Sequence, residues 1–179
     1  MDRTTPNWLA VLEGSVAALR PVTEVDRDAT FRAASDPLIW AQHSAHDRWQ
    51  RPVFDRFFDD ALSCGGGLTI LEKQTGSVVG STRFYDWNLS DTSVVIGYTF
   101  VVRRLWGTGF NAEVKRLMLA HAFQWATTVW FHVSPGNIRS QRALDKIGAV
   151  LDRQEDVLVA GVMSPRMIFG VQRAVPGNR

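Results

Sequence analysis

The stretch VVIGYTFVVRRLWGTGFNAEVKRLMLA, Val94 to Ala120, constrains this chain more than any other. Its first part, Val94 to Val102, is rich in β-branched and aromatic residues, with Gly97 as the only breaker, and predicts a buried strand. Its last part opens a helix over Phe110–Trp125, with Val114, Leu117, Met118 and Trp125 at helical spacing and Glu113, Lys115, Arg116 and Gln124 interspersed. Between them lies the turn Arg103-Arg104-Leu105-Trp106-Gly107-Thr108-Gly109. A strand that empties through glycines into a helix N-terminus suits anion capture. The first helical turn has N–H groups without intrahelical partners and carries the positive end of the macrodipole. Gly107 and Gly109 can take positive φ, and Arg103 and Arg104 add charge suited to a phosphate or pyrophosphate. From the glycines alone, a tight connection with two solvated arginines is an equal reading.

The rest of the chain reads as alternating elements. Trp8, Leu9, Val11 and Leu12 suggest a short N-terminal helix, and Val16–Arg20 a first strand stopped by Pro21. Thr23 is a plausible N-cap for a helix reaching Ala34. In Leu38–Arg51, His43 and His46 are three apart, which would place them on one helical face, but no acidic or thiol ligand set completes a metal site. Pro52 begins a helix whose apolar face carries Phe54, Phe57, Phe58, Ala61 and Leu62. Leu68–Lys73 and Val78–Tyr85 form a hairpin about Thr75-Gly76. Thr128–Val133 is a strand and Ile138–Ile147 a helix ended by Gly148. The helical crossover requires Val94–Val102 and Thr128–Val133 to run parallel. Ala149–Val157 and Arg166–Val171 close the sheet through a loop holding Gly161 and Pro165. The expectation is an α/β (α+β) fold, one domain over residues 1–179, with residues 1–14 as an extension and 175–179 as a frayed tail.

The turn resembles the coenzyme A-binding motif of the GCN5-related N-acetyltransferase (GNAT) family, Gln/Arg-x-x-Gly-x-Gly/Ala, here Arg104-x-x-Gly107-x-Gly109. A second motif of that family is matched by Asn137, Ser140, Lys146 and Gly148. Ile96-Gly97-Tyr98 and Trp106-Gly107-Thr108-Gly109 are most similar to the branch containing ribosomal-protein N-terminal acetyltransferases. The resemblance spans Ala18 to Val171. It implies a mixed central sheet flanked by helices, a splayed parallel strand pair around the cofactor site, and transfer of acetyl from acetyl-CoA to a primary amine of a peptide, amino acid or small molecule. A non-catalytic acyl-CoA-binding module is the alternative.

The resemblance also implies roles. The pantetheine arm would pair with the backbone of Phe100, Val101 and Val102, and the pyrophosphate would lie on the amides of Gly107, Thr108, Gly109, Phe110 and Asn111 beside Arg103 and Arg104. Asn137 either caps the following helix or contacts the cofactor. Ser140 is a candidate donor to the leaving thiolate, or tolerated core polarity. Arg142 and Lys146 belong to a solvated face with Arg139, or reach the 3′-phosphate. Leu38–Arg51 would line the acceptor cleft.

Two positions depart from the family pattern. Val95 stands where relatives often carry a proton-relaying Glu, and Leu144 where many carry an acidic Tyr. His132 is the candidate replacement base, with Asp86 and His121 as lesser options. The remaining features bound the partners. A net charge of +2 gives no ground for nucleic acid despite a pI near 9.0. The single cysteine, Cys64, suits a reducing cytoplasm, and no apolar run has membrane-spanning length. Neither a bound metal nor a membrane is expected, and a homodimer is allowed.

Overall fold

The computed structural model describes residues 5–159 and 161–174. Eight strands form one sheet: β1 (Leu12–Glu13), β2 (Ala17–Pro21), β3 (Gly67–Glu72), β4 (Val78–Asn88), β5 (Ser93–Val101), β6 (Thr128–Val133), β7 (Val150–Val159) and β8 (Val162–Gln172). Five helices accompany them: α1 (Arg27–Ala34), α2 (Pro37–Trp40), α3 (Arg51–Ser63), α4 (Phe110–Ala122) and α5 (Ile138–Asp145). The sheet order is β1-β2-β3-β4-β5-β6-β8-β7, and every neighbouring pair is antiparallel except β5–β6. The expected parallel pair is therefore present, and it is where strand direction changes.

Three local readings differ from the sequence expectation. Near the N-terminus Leu12 enters a short strand paired with Leu19, not a helix. Residues 41–50 are turns, so His43 and His46 share no helical face; His43 is half-buried and His46 exposed. Pro165 lies inside β8, opposite Asp156 of β7. It is tolerated because β6 pairs with β8 only from Met167 onward, leaving Pro165 at a position with one neighbouring strand. The expected frayed tail at 175–179 lies outside the described residues, as do the first four residues of the N-terminal extension.

The core has two parts. One packs α4 against the sheet, with Val114 and Met118 meeting Ile70, Val94, Ile96 and Phe131. The other is aromatic and joins α1, α2 and α3 through Trp40, Phe54, Phe57 and Phe58 to Phe100 of β5.

A bulge in β5 determines which part each residue joins. Register shifts between Ser81 and Arg83 of β4, where β5 spends an extra residue, and Tyr98 takes φ 53°. Val94 and Ile96 face the α4 core before the bulge; after it Val101 faces that core and Phe100 the aromatic one. A left-handed tyrosine costs roughly 1 kcal/mol. Packing holds it: the Arg83 guanidinium lies 4.0 Å over the Tyr98 ring, and Tyr85 meets it edge-on at 5.1 Å. Gly97 makes room, since a Cβ there would stand 2.8 Å from Tyr85 Cε1.

Candidate active site

Beyond the bulge, β5 and β6 part. Their parallel pairing comprises Ser93↔Thr128, Val94↔Val129 and Val95↔Trp130, so from Ile96 to Val101 β5 has no strand neighbour on that side. The gap is the splay that the resemblance implied. It opens two cavities.

The first, about 350 Å³, runs from Thr99–Val101 along Gly107, Gly109 and Asn111 to α5. Its floor is built by the glycine turn. Gly109 is the N-cap of α4 at φ 88°, and a Cβ there would meet nothing within 4 Å, so the surface over the helix N-terminus is open. Thr108 Oγ1 shapes the turn, donating to Leu105 O at 2.8 Å and accepting from Phe110 N at 3.3 Å. Asn111 Oδ1 is buried and has no hydrogen-bond partner among the described residues, an orphan acceptor on the cavity wall. Trp106 Nε1 donates to Val101 O at 2.9 Å, and the Arg139 guanidinium lies 4.0 Å over the Trp106 ring, tying turn to α5.

Of the expected cofactor residues, Phe100, Val101, Gly107, Gly109, Asn111, Asn137, Ser140, Arg142 and Lys146 line this cavity. Val102 and Phe110 pack into the core behind it. Arg103 is paired with Asp36, and Arg104 makes a bidentate pair with Glu72 at 2.7 Å, so neither arginine lines the cavity. Asn137 caps α5, its Oδ1 accepting from Ser140 N at 3.1 Å, while also lining the cavity.

The second cavity, about 260 Å³, lies on the other side of the same junction and is walled by Arg48, Tyr85, Tyr98, His132 and Arg166. Arg48 comes from the turns after α2 and is stacked 4.7 Å over Phe57 and 5.5 Å over Trp40. It has no carboxylate partner among the described residues, and burial pushes it down to about 10. His43 is pushed down to about 4 by burial and by Arg48 and Arg139, so it is neutral; its Nε2 lies 3.4 Å from Arg48 Nη1. His132 Nδ1 lies 3.3 Å from the Tyr85 hydroxyl and 3.4 Å from Arg166 Nη1, and burial followed by Arg166 lowers its pKa. No Asp or Glu lines either cavity among the described residues.

The two cavities share His43, Thr99, Lys115, Asn137, Ser140 and Leu144. Leu144 is buried at this junction, and Val95 is buried where β5 and β6 still pair, and neither side chain can itself move a proton. His121 is a core residue, its Nε2 2.7 Å from Asn7 O, and Asp86 is exposed at positive φ. Sequence reasoning passed over Lys115 and Arg48. Lys115 carries a signal in retrospect: it falls three residues before Met118 and four after Asn111, on the inward side of α4.

A strand splay, an open helix N-terminus and a paired cavity are what an acyl-CoA transferase of the GNAT type requires, and the comparisons place the chain there. The Acetyltransferase (GNAT) domain family matches residues 17–150, and the chain belongs to that family. Its cosubstrate is acetyl-CoA, and its reaction is acetyl transfer. A GCN5-related N-acetyltransferase from Brucella melitensis superposes with TM-score 0.79 at 18% identity, over 92% of this chain and 79% of that one. A GNAT-family acetyltransferase from Bacillus anthracis gives 0.76 at 13% identity over 91% and 98%. Mycobacterium smegmatis RimJ in complex with CoA-disulfide gives 0.75 at 18% identity over 93% and 89%. At these identities the likenesses speak for the fold. No described helix is long and apolar enough to cross a membrane, and no three described His, Cys, Asp or Glu residues gather as a metal site.

Proposed function

We propose that this chain is an N-acetyltransferase that moves acetyl from acetyl-CoA to a primary α-amine of an amino acid, peptide or small molecule whose neighbouring group is anionic. The observation that carries the reading is the meeting of two cavities at Thr99, Lys115, Asn137, Ser140 and Leu144. A thioester entering along β5 and an amine entering from the opposite side would meet there, and holding both converts a bimolecular step into an effectively unimolecular one. The pantetheine would pair with Phe100–Val102 in the β5–β6 gap, and the pyrophosphate would rest on the backbone amides of Gly107–Asn111 at the helix start. Arg142 and Lys146 stand at the rim for the 3′-phosphate, and Ser140 beside the departing sulfur. That a CoA derivative occupies the similar RimJ fold supports this placement.

The acceptor class follows from charge. Arg48 and Arg166 line the second cavity with neutral His43 and with His132, and no Asp or Glu among the described residues lines it. A second cation, as on a polyamine or an amino-terminal lysine, meets like charge there, whereas a carboxylate or phosphate meets unpaired guanidinium. A thioester-consumption screen tests this with amino acids, peptides with acidic or basic second residues, and polyamines. Turnover of the anionic α-amines with polyamines silent is the expected result; preferential turnover of polyamines would overturn the acceptor class.

A further inference from the structure

Lys115 is out of place for a lysine. It is 6% exposed on α4, and its Nζ lies 4.9 Å from the Phe131 ring centroid with no carboxylate in reach. Among the described residues, the hydrogen bond its Nζ makes is to Thr99 Oγ1, at 2.9 Å. Thr99 Oγ1 in turn lies 2.7 Å from Thr82 Oγ1, so the acceptor oxygen is fixed by a second hydroxyl. Lys115 lines both cavities at their junction beside Leu144, and no Asp or Glu lines either cavity among the described residues. A chain that keeps an amine in such surroundings gives up stability, which is a recurrent property of functional sites.

We infer that Lys115 is the proton relay of the transfer reaction, taking a proton from the acceptor ammonium and returning one to the CoA thiolate. The inference rests on the acetyltransfer reading above. Neutral Lys115 accepts a proton from R–NH3+, giving R–NH2 and the Lys115 ammonium. The amine lone pair attacks the thioester carbonyl carbon; the C–N bond forms, and the C–S bond breaks with its electron pair on sulfur. The Lys115 ammonium protonates that sulfur, giving CoA–SH and the free Lys115 amine. The remaining extra proton, on the new amide nitrogen, passes to Lys115 and on to solvent. One ammonium and one thioester thus yield one amide, one thiol and one released proton.

The charged side chains that line the two cavities with Lys115 are basic, and no Asp or Glu among the described residues joins them. The turns after α2 supply neutral His43 and cationic Arg48, β6 supplies His132 and β8 Arg166, while α5 supplies Arg139, Arg142 and Lys146. Tyr85 of β4 and Tyr98 of β5 are phenols, and burial raises Tyr85 further. On α4 itself Glu113 is engaged elsewhere, accepting from the Val16 and Ala17 backbone at 2.8 and 2.9 Å. Burial alone pushes Lys115 down to about 7, which is the range a general base and acid both need.

The test has an acceptor-free arm and a kinetic arm. The chain has three lysines, Lys73, Lys115 and Lys146, so side-chain NMR of labelled lysine gives three resonances, one of which disappears in Lys115→Met. That resonance should titrate near pH 7. In kinetics with an α-amine acceptor, Lys115→Met should lower kcat by about 10²-fold or more and lose the pH-rate limb near 7. Acetyl-CoA affinity should stay within a few-fold, and His132→Ala should keep the limb. A Lys115 resonance titrating at the ordinary lysine pH overturns the relay whatever the acceptor, as do superimposable wild-type and Lys115→Met profiles. One acetyl group gained by Lys115 on incubation with acetyl-CoA alone would make it a nucleophile and overturn the assignment. Absence of turnover by wild type, with the depressed Lys115 titration intact, would instead overturn the acetyltransfer reading and the relay with it.

Discussion

Removing the Lys115 amine should make the folded protein more stable, by an amount that depends on pH. Burial lowers the Lys115 pKa from 10.5 to about 7. A folded pKa below the unfolded one means that the unfolded chain binds more protons between those values, so stability rises with pH across the window 7 to 10.5. Below 7 both states are protonated and the whole penalty is present; above 10.5 both are neutral and it vanishes. Linkage puts the cost at about 4 kcal/mol at pH 7, falling to about 1 kcal/mol at pH 10. Methionine has similar length and no charge, and Thr99 Oγ1 keeps Thr82 as a partner after the change. Losing the hydrogen bond to Thr99 returns about 1 kcal/mol. The net expectation for Lys115→Met is a gain of about 2–3 kcal/mol at pH 7 that disappears by pH 10. Urea denaturation of wild type and variant at the two pH values measures it. A variant that is equally stable or less stable at pH 7, or a difference that does not change with pH, refutes the claim that the site holds an unpaired, neutral lysine.

Three further outcomes follow from other contacts. Asp26, 3% exposed, takes both Arg20 guanidinium nitrogens at 2.6 and 2.7 Å and accepts from Thr69 Oγ1 at 3.1 Å; Asp26→Asn should cost about 2–3 kcal/mol in denaturant unfolding at neutral pH. Burial opposes its charge, but the Arg20 and Thr23 bonds win and its pKa lies below normal, so the variant's deficit should persist down to the ordinary carboxylate range and shrink as pH falls through the folded value. Gly97→Ala should cost about 1–3 kcal/mol by driving a Cβ to 2.8 Å from Tyr85, with a larger effect on acceptor KM than on acetyl-CoA affinity because Tyr85 walls the second cavity. Arg48→Met should raise KM for an anionic α-amine about tenfold and leave the KM of a neutral amide-flanked amine nearly unchanged in steady-state kinetics.

The parts of the molecule that local chemistry decides were legible in the sequence. A β-branched run, two glycines and an amphipathic helix define the β5–turn–α4 unit, and Gly107 and Gly109 do take positive φ. Asn137 and Gly148 mark both ends of α5 because capping needs only neighbouring residues. The second cavity was legible only in part: Leu38–Arg51 supplies His43, Ser44 and Arg48 to it and His132 was a candidate, but Tyr85, Tyr98 and Arg166 come from separate segments that only the sheet order brings together. The position of β8 between β6 and β7 has no local signature, and it is what delivers Arg166 to His132. Charge and proximity alone make Arg103 and Arg104 candidate phosphate ligands. Their ion pairs with Asp36 and Glu72 depend on residues more than thirty positions away, beyond any local pattern.

The central claim, that acetyl-CoA lies over the α4 N-terminus and feeds the cavity junction, is tested most directly by titration calorimetry of acetyl-CoA into wild type and Gly109→Asp. Aspartate tolerates left-handed φ better than most residues and a Cβ at Gly109 would meet nothing within 4 Å, so the variant should fold, with strain of about 1 kcal/mol and a thermal midpoint a few degrees lower. Its carboxylate would stand where the pyrophosphate is placed, at like-charge range. Wild type should bind acetyl-CoA, and the folded variant should lose at least about tenfold in affinity, or roughly 1.4 kcal/mol. Equal affinity in the two proteins would contradict it.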